Sequence, residues 1–222
     1  MIKRKNLIGI LASEGFVTEI SAPYTAANDI FLCRQNDAAN EFQSVVYLAR
    51  KRGYGSFSFH FGVRCVQVQS MYSKLIEIEY FQSALKDTRD KIWLHVPRLF
   101  SGGHILEWPR LMIPSPDSPN QWLEQWNLAK ERLLRSKSYL VTNHENFALF
   151  YLVDELGCEW RGDVMDRLTE IIISLSYAGY SADEALGAVE KVRKYFDQKM
   201  QKNLTLENYV NQTLKCCQQI GF

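Results

Sequence analysis

Every second position from Phe57 to Cys65 is apolar: Phe57, Phe59, Phe61, Val63 and Cys65 alternate with Ser58, His60, Gly62 and Arg64. Successive side chains of a strand point to opposite faces, so this run predicts a strand with one aromatic face turned to a core. The apolar phase flips at Cys65-Val66, because Val66 and Val68 fall on even positions. A bulge or a strand end accounts for such a flip. Two strands are expected before it. Residues 28–34 (NDIFLCR) form the first, and residues 42–50 the second, with Val45, Val46, Tyr47 and Leu48 apolar on both faces as in a central strand. Gln35-Asn36-Asp37 reads as the turn between them, and residues 51–55 as a hairpin connection. Residues 91–96 (KIWLHV) are a fourth strand candidate.

Elsewhere the apolar spacing is helical. Leu7, Ile8, Ile10 and Leu11 mark a first helix over residues 3–14, with Gly15 placed to end it. Tyr72, Leu75, Ile76 and Tyr80 mark another over residues 70–85. From Ser118 onward the pattern stays helical, beginning with Trp122, Leu123, Trp126, Leu133 and Leu134 in a helix that ends near Tyr139. Thr142-x-x-Glu145 and Ser181-x-x-Glu184 both have the form of a capping box, in which two side chains satisfy free N–H groups at a helix start. They predict helices over 143–156 and 182–201, with a third between them over 162–178. Gly157 and Gly179 fall where stops are expected, and Thr205 caps a last helix running through Gln219.

Five of the six prolines lie between Pro97 and Pro119, which makes that stretch the boundary between two kinds of pattern. The expected fold class is therefore α+β. An N-terminal antiparallel sheet of about four strands, flanked by helices, occupies residues 1–110. A helical C-terminal half occupies 118–222, either separate or packed with the sheet as one domain.

Composition changes this picture little. Hydrophobic residues make up 46% and charged residues 23%, the ordinary range of a folded globular chain, and 12 Phe, 11 Tyr and 5 Trp supply a sizeable core. No apolar run approaches the ~20 residues that span a bilayer, and the N-terminal apolar part, residues 7–12, is too short for a secretory core. Five cysteines at irregular spacing form no disulfide framework and suit a reducing cytosol, with Cys33 and Cys65 expected as small buried hydrophobes. A cytoplasmic chain without membrane contact is the expectation.

Charge is more informative. The total is +1, but residues 143–190 hold ten acids against two bases, a net of −8, and residues 191–202 hold five bases against one acid. Such a segment is either the solvated face of amphipathic helices or a surface that meets a basic partner. The near-neutral total and the acidic segment oppose nucleic-acid binding, although Arg50-Lys51-Arg52 beside Tyr54 could touch phosphates.

Motifs that carry chemistry are few. No two of the histidines, His60, His95, His104 and His144, have the i, i+4 spacing of a helical metal site, and there is no Cys-x-x-Cys. Ser101-Gly102-Gly103-His104 lacks the Lys-Ser/Thr ending of a phosphate loop. No cofactor, metal or catalytic residue is expected. The first alternative is a small-ligand enzyme or nucleotide-binding site: if their strands pair, His60 and His95 share a face with Arg64 and could bind an anion or exchange protons; a further one is a structural subunit whose last helices dock on a larger assembly.

A helix ending in Gly15-Phe16, a strand ending in Cys33-Arg34, a strand ending at Leu48-Ala49 and a strand closing on Phe61-Gly62-Val63 follow one another in order. This order, over residues 7–68, resembles small bacterial domain-of-unknown-function proteins, some of which sit beside polymorphic or contact-dependent toxins as immunity proteins. The resemblance implies a binding-and-blocking function and no catalytic residues. It makes the acidic segment a docking surface for a cognate toxin, since acidic inhibitors associate quickly and specifically with basic partners. The candidate partner-binding residues are Glu145, Asp154, Glu155, Glu159, Asp163 and Asp166, with Tyr151 and Trp160 as aromatic anchors.

Overall fold

The computed structural model describes residues 9, 11–18, 30–39, 41–50, 57–82, 84, 105–106, 112–113, 127, 131, 140–152, 164–199 and 204–221. They form a mixed α/β structure with an antiparallel sheet and a mostly helical remainder. The chain divides into two compact units that interleave in sequence, Met1–Arg64 with Ile105–Val141, and Cys65–His104 with Thr142–Phe222.

The first unit holds the sheet. Its strands are β1 (Val17–Thr18), β2 (Ile30–Gln35), β3 (Phe42–Arg50), β4 (Phe57–Cys65), β5 (Ile105–Leu106) and β6 (Met112–Ile113). The order is β1-β2-β3-β4-β5, and β6 also pairs with β4. Three of these strands are long, one fewer than expected, and the proposed strand over 91–96 lies outside the described residues. β3 is central, as its two-sided apolar pattern requires: Phe42, Val45 and Val46 are buried, and so are Gln43 and Ser44. It pairs antiparallel with β2, placing Cys33 opposite Val45 and Leu32 opposite Val46.

The β2–β3 turn is built by two side chains. Asp37 Oδ1 accepts from the Phe42 N–H at 2.7 Å, and its Oδ2 accepts from Ala39 and Glu41. Asn36 Oδ1 accepts from the Ser44 hydroxyl at 2.8 Å, while its amide donates to the Val141 carbonyl. Short acids and amides satisfy turn backbone in this way, which is why they mark turns in sequence. At the start of the unit, residues 11–13 are helical and end in a left-handed Gly15 at φ 84°. The Gly15 N–H donates to Ala12 O and the Phe16 N–H to Leu11 O, the paired bonds of a glycine-terminated helix.

The second unit is helical: α1 (Val66–Leu75), α2 (His144–Leu152), α3 (Val164–Tyr177), α4 (Ala182–Val189), α5 (Arg193–Lys199) and α6 (Leu206–Ile220). The flip at Cys65-Val66 is a strand end followed at once by a helix. α1 starts at Val66, and Val68, Met71, Tyr72 and Leu75 form its buried face. The expected helix over 182–201 is broken by a 3-10 turn at Glu190–Val192. The expected helix over 118–139 is described only at residues 127 and 131, both helical.

α3 is the centre of the unit and packs against each of the other five helices. All residues from Met165 to Leu175 are buried. A helix enclosed on every side loses its polar stripe to the interior, so Asp166, Arg167, Thr169, Glu170 and Ser174 are buried beside Leu168, Ile171, Ile172 and Ile173. α3 ends as expected at Gly179, φ 82°, with Gly179 N–H donating to Ser176 O and Tyr180 N–H to Leu175 O.

Candidate partner-binding surface

Among the described residues, the acids of this segment divide between surface and interior. Asp166 and Tyr151, both expected to face a partner, are inside. Asp166 is 8% exposed and accepts a hydrogen bond from the Tyr72 hydroxyl of α1. Tyr151 is fully buried, edge-on to Phe147 at 5.0 Å, with the Arg167 guanidinium over its ring at 5.7 Å. Arg167 also donates to the Tyr151 carbonyl. These corrections share one cause: α3 is the hub of the bundle, and its neighbours cover the side that a charge count assigns to water. Glu170 is buried for the same reason. Asp154, Glu155, Glu159, Trp160 and Asp163 lie outside the described residues.

Glu145 does reach the surface. It stands in the first turn of α2, where a negative charge meets the positive end of the helix. Thr142 is not its capping partner. The helix starts at His144, and Asn143 Oδ1 accepts from the Asn146 N–H at 2.8 Å, so the cap falls one residue later than expected. Glu145 Oε1 instead accepts from the Tyr180 hydroxyl at 2.8 Å.

Tyr180 sits on the turn between α3 and α4, fixed by the Gly179 stop before it and the Ser181 cap after it. That cap is the expected box: the Glu184 N–H donates to Ser181 Oγ at 3.4 Å, and the Ser181 N–H donates to Glu184 Oε2 at 2.8 Å. The bond to Glu145 pushes the Tyr180 phenol up, and the charges of Glu145 and Glu184 act in the same direction. The Ser181 bonds hold the Glu184 carboxyl below its usual range, so it is a firm anion at neutral pH. Asp183 beside it is exposed as well.

The arrangement is thus an aromatic hydroxyl under the influence of carboxylates drawn from two helix starts, Glu145 and Glu184. Sequence reading overlooked Tyr180, although the local signals that place it, a glycine stop and a capping box on either side, were both legible. Glu190 does not extend the patch. It is engaged with Arg193 through two bonds of 2.6 and 2.8 Å, and Arg193 also reaches Glu207 at 2.6 Å.

The alternative site is not assembled by the described residues. Arg64 Nε donates to Gln43 Oε1 of β3 at 2.8 Å. The His60 side chain and the whole of His95 lie outside the description. Among the described residues, no helix is long and apolar enough to cross a membrane. Comparison with protein-family models, with curated proteins and with solved structures finds no match for this chain.

Proposed function

We propose that this chain is a cytoplasmic protein-binding module, an immunity protein that neutralises a cognate bacterial toxin by docking a basic surface against acidic helix starts. The observation that carries the reading is the exposed Glu145–Tyr180 hydrogen bond with the Glu184 carboxylate acting on the same hydroxyl, and Asp183, next to Glu184 in sequence, exposed as well. A Tyr held at the surface in one orientation loses little freedom on binding, and flanking carboxylates steer a cationic partner toward it. The acids 154, 155, 159 and 163 lie between these elements in sequence and belong to the same proposal, with Trp160 as a second anchor. Tyr151 and Asp166 do not.

The test is co-expression with the toxin-like reading frame that the reading places directly upstream. The chain is expected to restore growth and to co-purify with the toxin domain. Growth restored equally by a chain carrying Glu145→Lys and Tyr180→Ala would reject the surface. No protection by the folded parent chain would reject the function.

A further inference from the structure

α4 and α5 present one continuous outer face. Ala185, Val189, Val192 and Phe196 are buried at spacings of four, three and four, so the apolar stripe runs unbroken through the 3-10 turn that joins the two helices. The side turned to solvent carries Asp183, Glu184, Gly187, Glu190, Lys191 and Lys194. Its first part is acidic and its last part basic. Glu190 is engaged with Arg193, and neither lysine joins the ion pairs of Arg193 with Glu190 and Glu207.

Two residues on this face are unfavourable to the isolated chain. Gly187 lies inside α4 with nothing within 4 Å of where a Cβ would stand, so no neighbour requires its small size. A glycine within a helix weakens that helix, and what it allows in return is the close approach of another backbone. Lys194 stands in the first turn of α5, which holds no acid. That end of a helix disfavours a cation, and a carboxylate brought from outside would offset the cost.

We propose that this face is a self-association surface on which a second copy of the chain packs antiparallel about a two-fold axis. The charge order makes the face complementary to itself. An axis between residues 187 and 189 sets Asp183 of each copy against Lys194 of the other and Glu184 against Lys191, so every pair occurs twice. Residues 183 to 194 span about 16 Å of helix. Asp197, one turn further on, lies beyond this span. Gly187 of both copies falls beside the axis, where the backbones come closest. A two-helix contact of this length belongs with the small, transient interfaces, those under about 1,200 Å². The dimer is therefore weak and sensitive to salt, and its charge pairs fix the register more than they supply affinity. The self-contact covers Asp183 and Glu184, so it competes with a basic partner for that helix start without depending on such a partner.

Sedimentation equilibrium of the folded full chain over about a hundredfold range of concentration reads the association. The parent is expected to show a monomer–dimer equilibrium that weakens as salt is raised. Asp183→Lys and Lys194→Asp are each expected to weaken it at least about tenfold, because both copies of the altered pair become repulsive. An equimolar mixture of the two variants is expected to dimerise as the parent does. One copy then brings lysine at both positions and the other aspartate at both, so each pair is again attractive, an outcome that only the antiparallel two-fold arrangement gives. Gly187→Gln is expected to weaken the dimer while raising the denaturant midpoint of the dilute chain, since glutamine is the better helix former. A parent chain that stays monomeric across the range would overturn the inference, as would single charge variants or Gly187→Gln that dimerise like the parent. So would a mixture that associates no better than either charge variant alone.

Discussion

The Tyr72 hydroxyl donates to the Asp166 carboxylate inside the helical unit, joining α1 to the central helix α3. Burial and the neighbouring carboxylates Asp166 and Glu170 push the Tyr72 phenol far above its usual value, so it remains a donor at any ordinary pH. Removing that donor while keeping the ring takes a hydrogen bond from a buried charge. Tyr72→Phe is expected to lower stability by about 1–3 kcal/mol in urea unfolding, whereas removing an exposed hydroxyl changes little.

The two caps give a sharper contrast. Because Asn143 and not Thr142 bonds the first turn of α2, Asn143→Ala is expected to cost about 1 kcal/mol and Thr142→Ala close to nothing. Thermal melts of the two variants check the assignment. The opposite order would place the helix start one residue earlier.

Gly179 and Gly187 both have open space where a Cβ would stand, yet they answer differently to alanine. Gly179 holds φ 82°, so Gly179→Ala forces a left-handed alanine and is expected to destabilise by about 1–2 kcal/mol. Gly187 lies inside α4, where alanine narrows the unfolded ensemble without strain. Gly187→Ala is expected to stabilise by about 0.5–1 kcal/mol. Denaturant midpoints of the pair would show opposite shifts.

His144 sets a pH dependence. Its pKa falls from 6.5 to about 4 because burial disfavours the imidazolium. The unfolded chain therefore binds a proton that the folded chain resists. This contribution is level above about pH 6.5 and turns against the fold as pH drops toward about 4, below which both states are protonated. Unfolding free energies measured from pH 7 to pH 4 are expected to fall less steeply in His144→Gln than in the parent chain.

These residues also show what the chain discloses locally and what it does not. Gly15, Gly179, Thr205 and the Ser181/Glu184 box are signals spent within a few residues of themselves, and each sits where the sequence places it. The phase flip at Cys65-Val66 is likewise a local event, a strand turning into a helix. Asp166 is different. Its burial depends on Tyr72, 94 residues earlier, and on five helices closing around α3. A count of charges treats every acid as solvated, so the −8 of residues 143–190 overstated the exposed face. Among the described acids, Glu190 reaches the surface engaged with Arg193, while Glu145 and Glu184 reach it from two helix starts that only the tertiary fold sets side by side. Tyr180 between them carries no charge to draw notice.

The proposed function requires this surface to bind a basic protein partner. The direct measurement is the affinity of the full chain for the cognate toxin domain, by calorimetry at two salt concentrations. The parent is compared with Glu145→Lys combined with Glu184→Gln, the latter keeping the capping box while removing the charge. Binding is expected to weaken at least about tenfold in the double variant, with a shallower dependence on salt. Equal affinity and equal salt dependence in the two chains would contradict it.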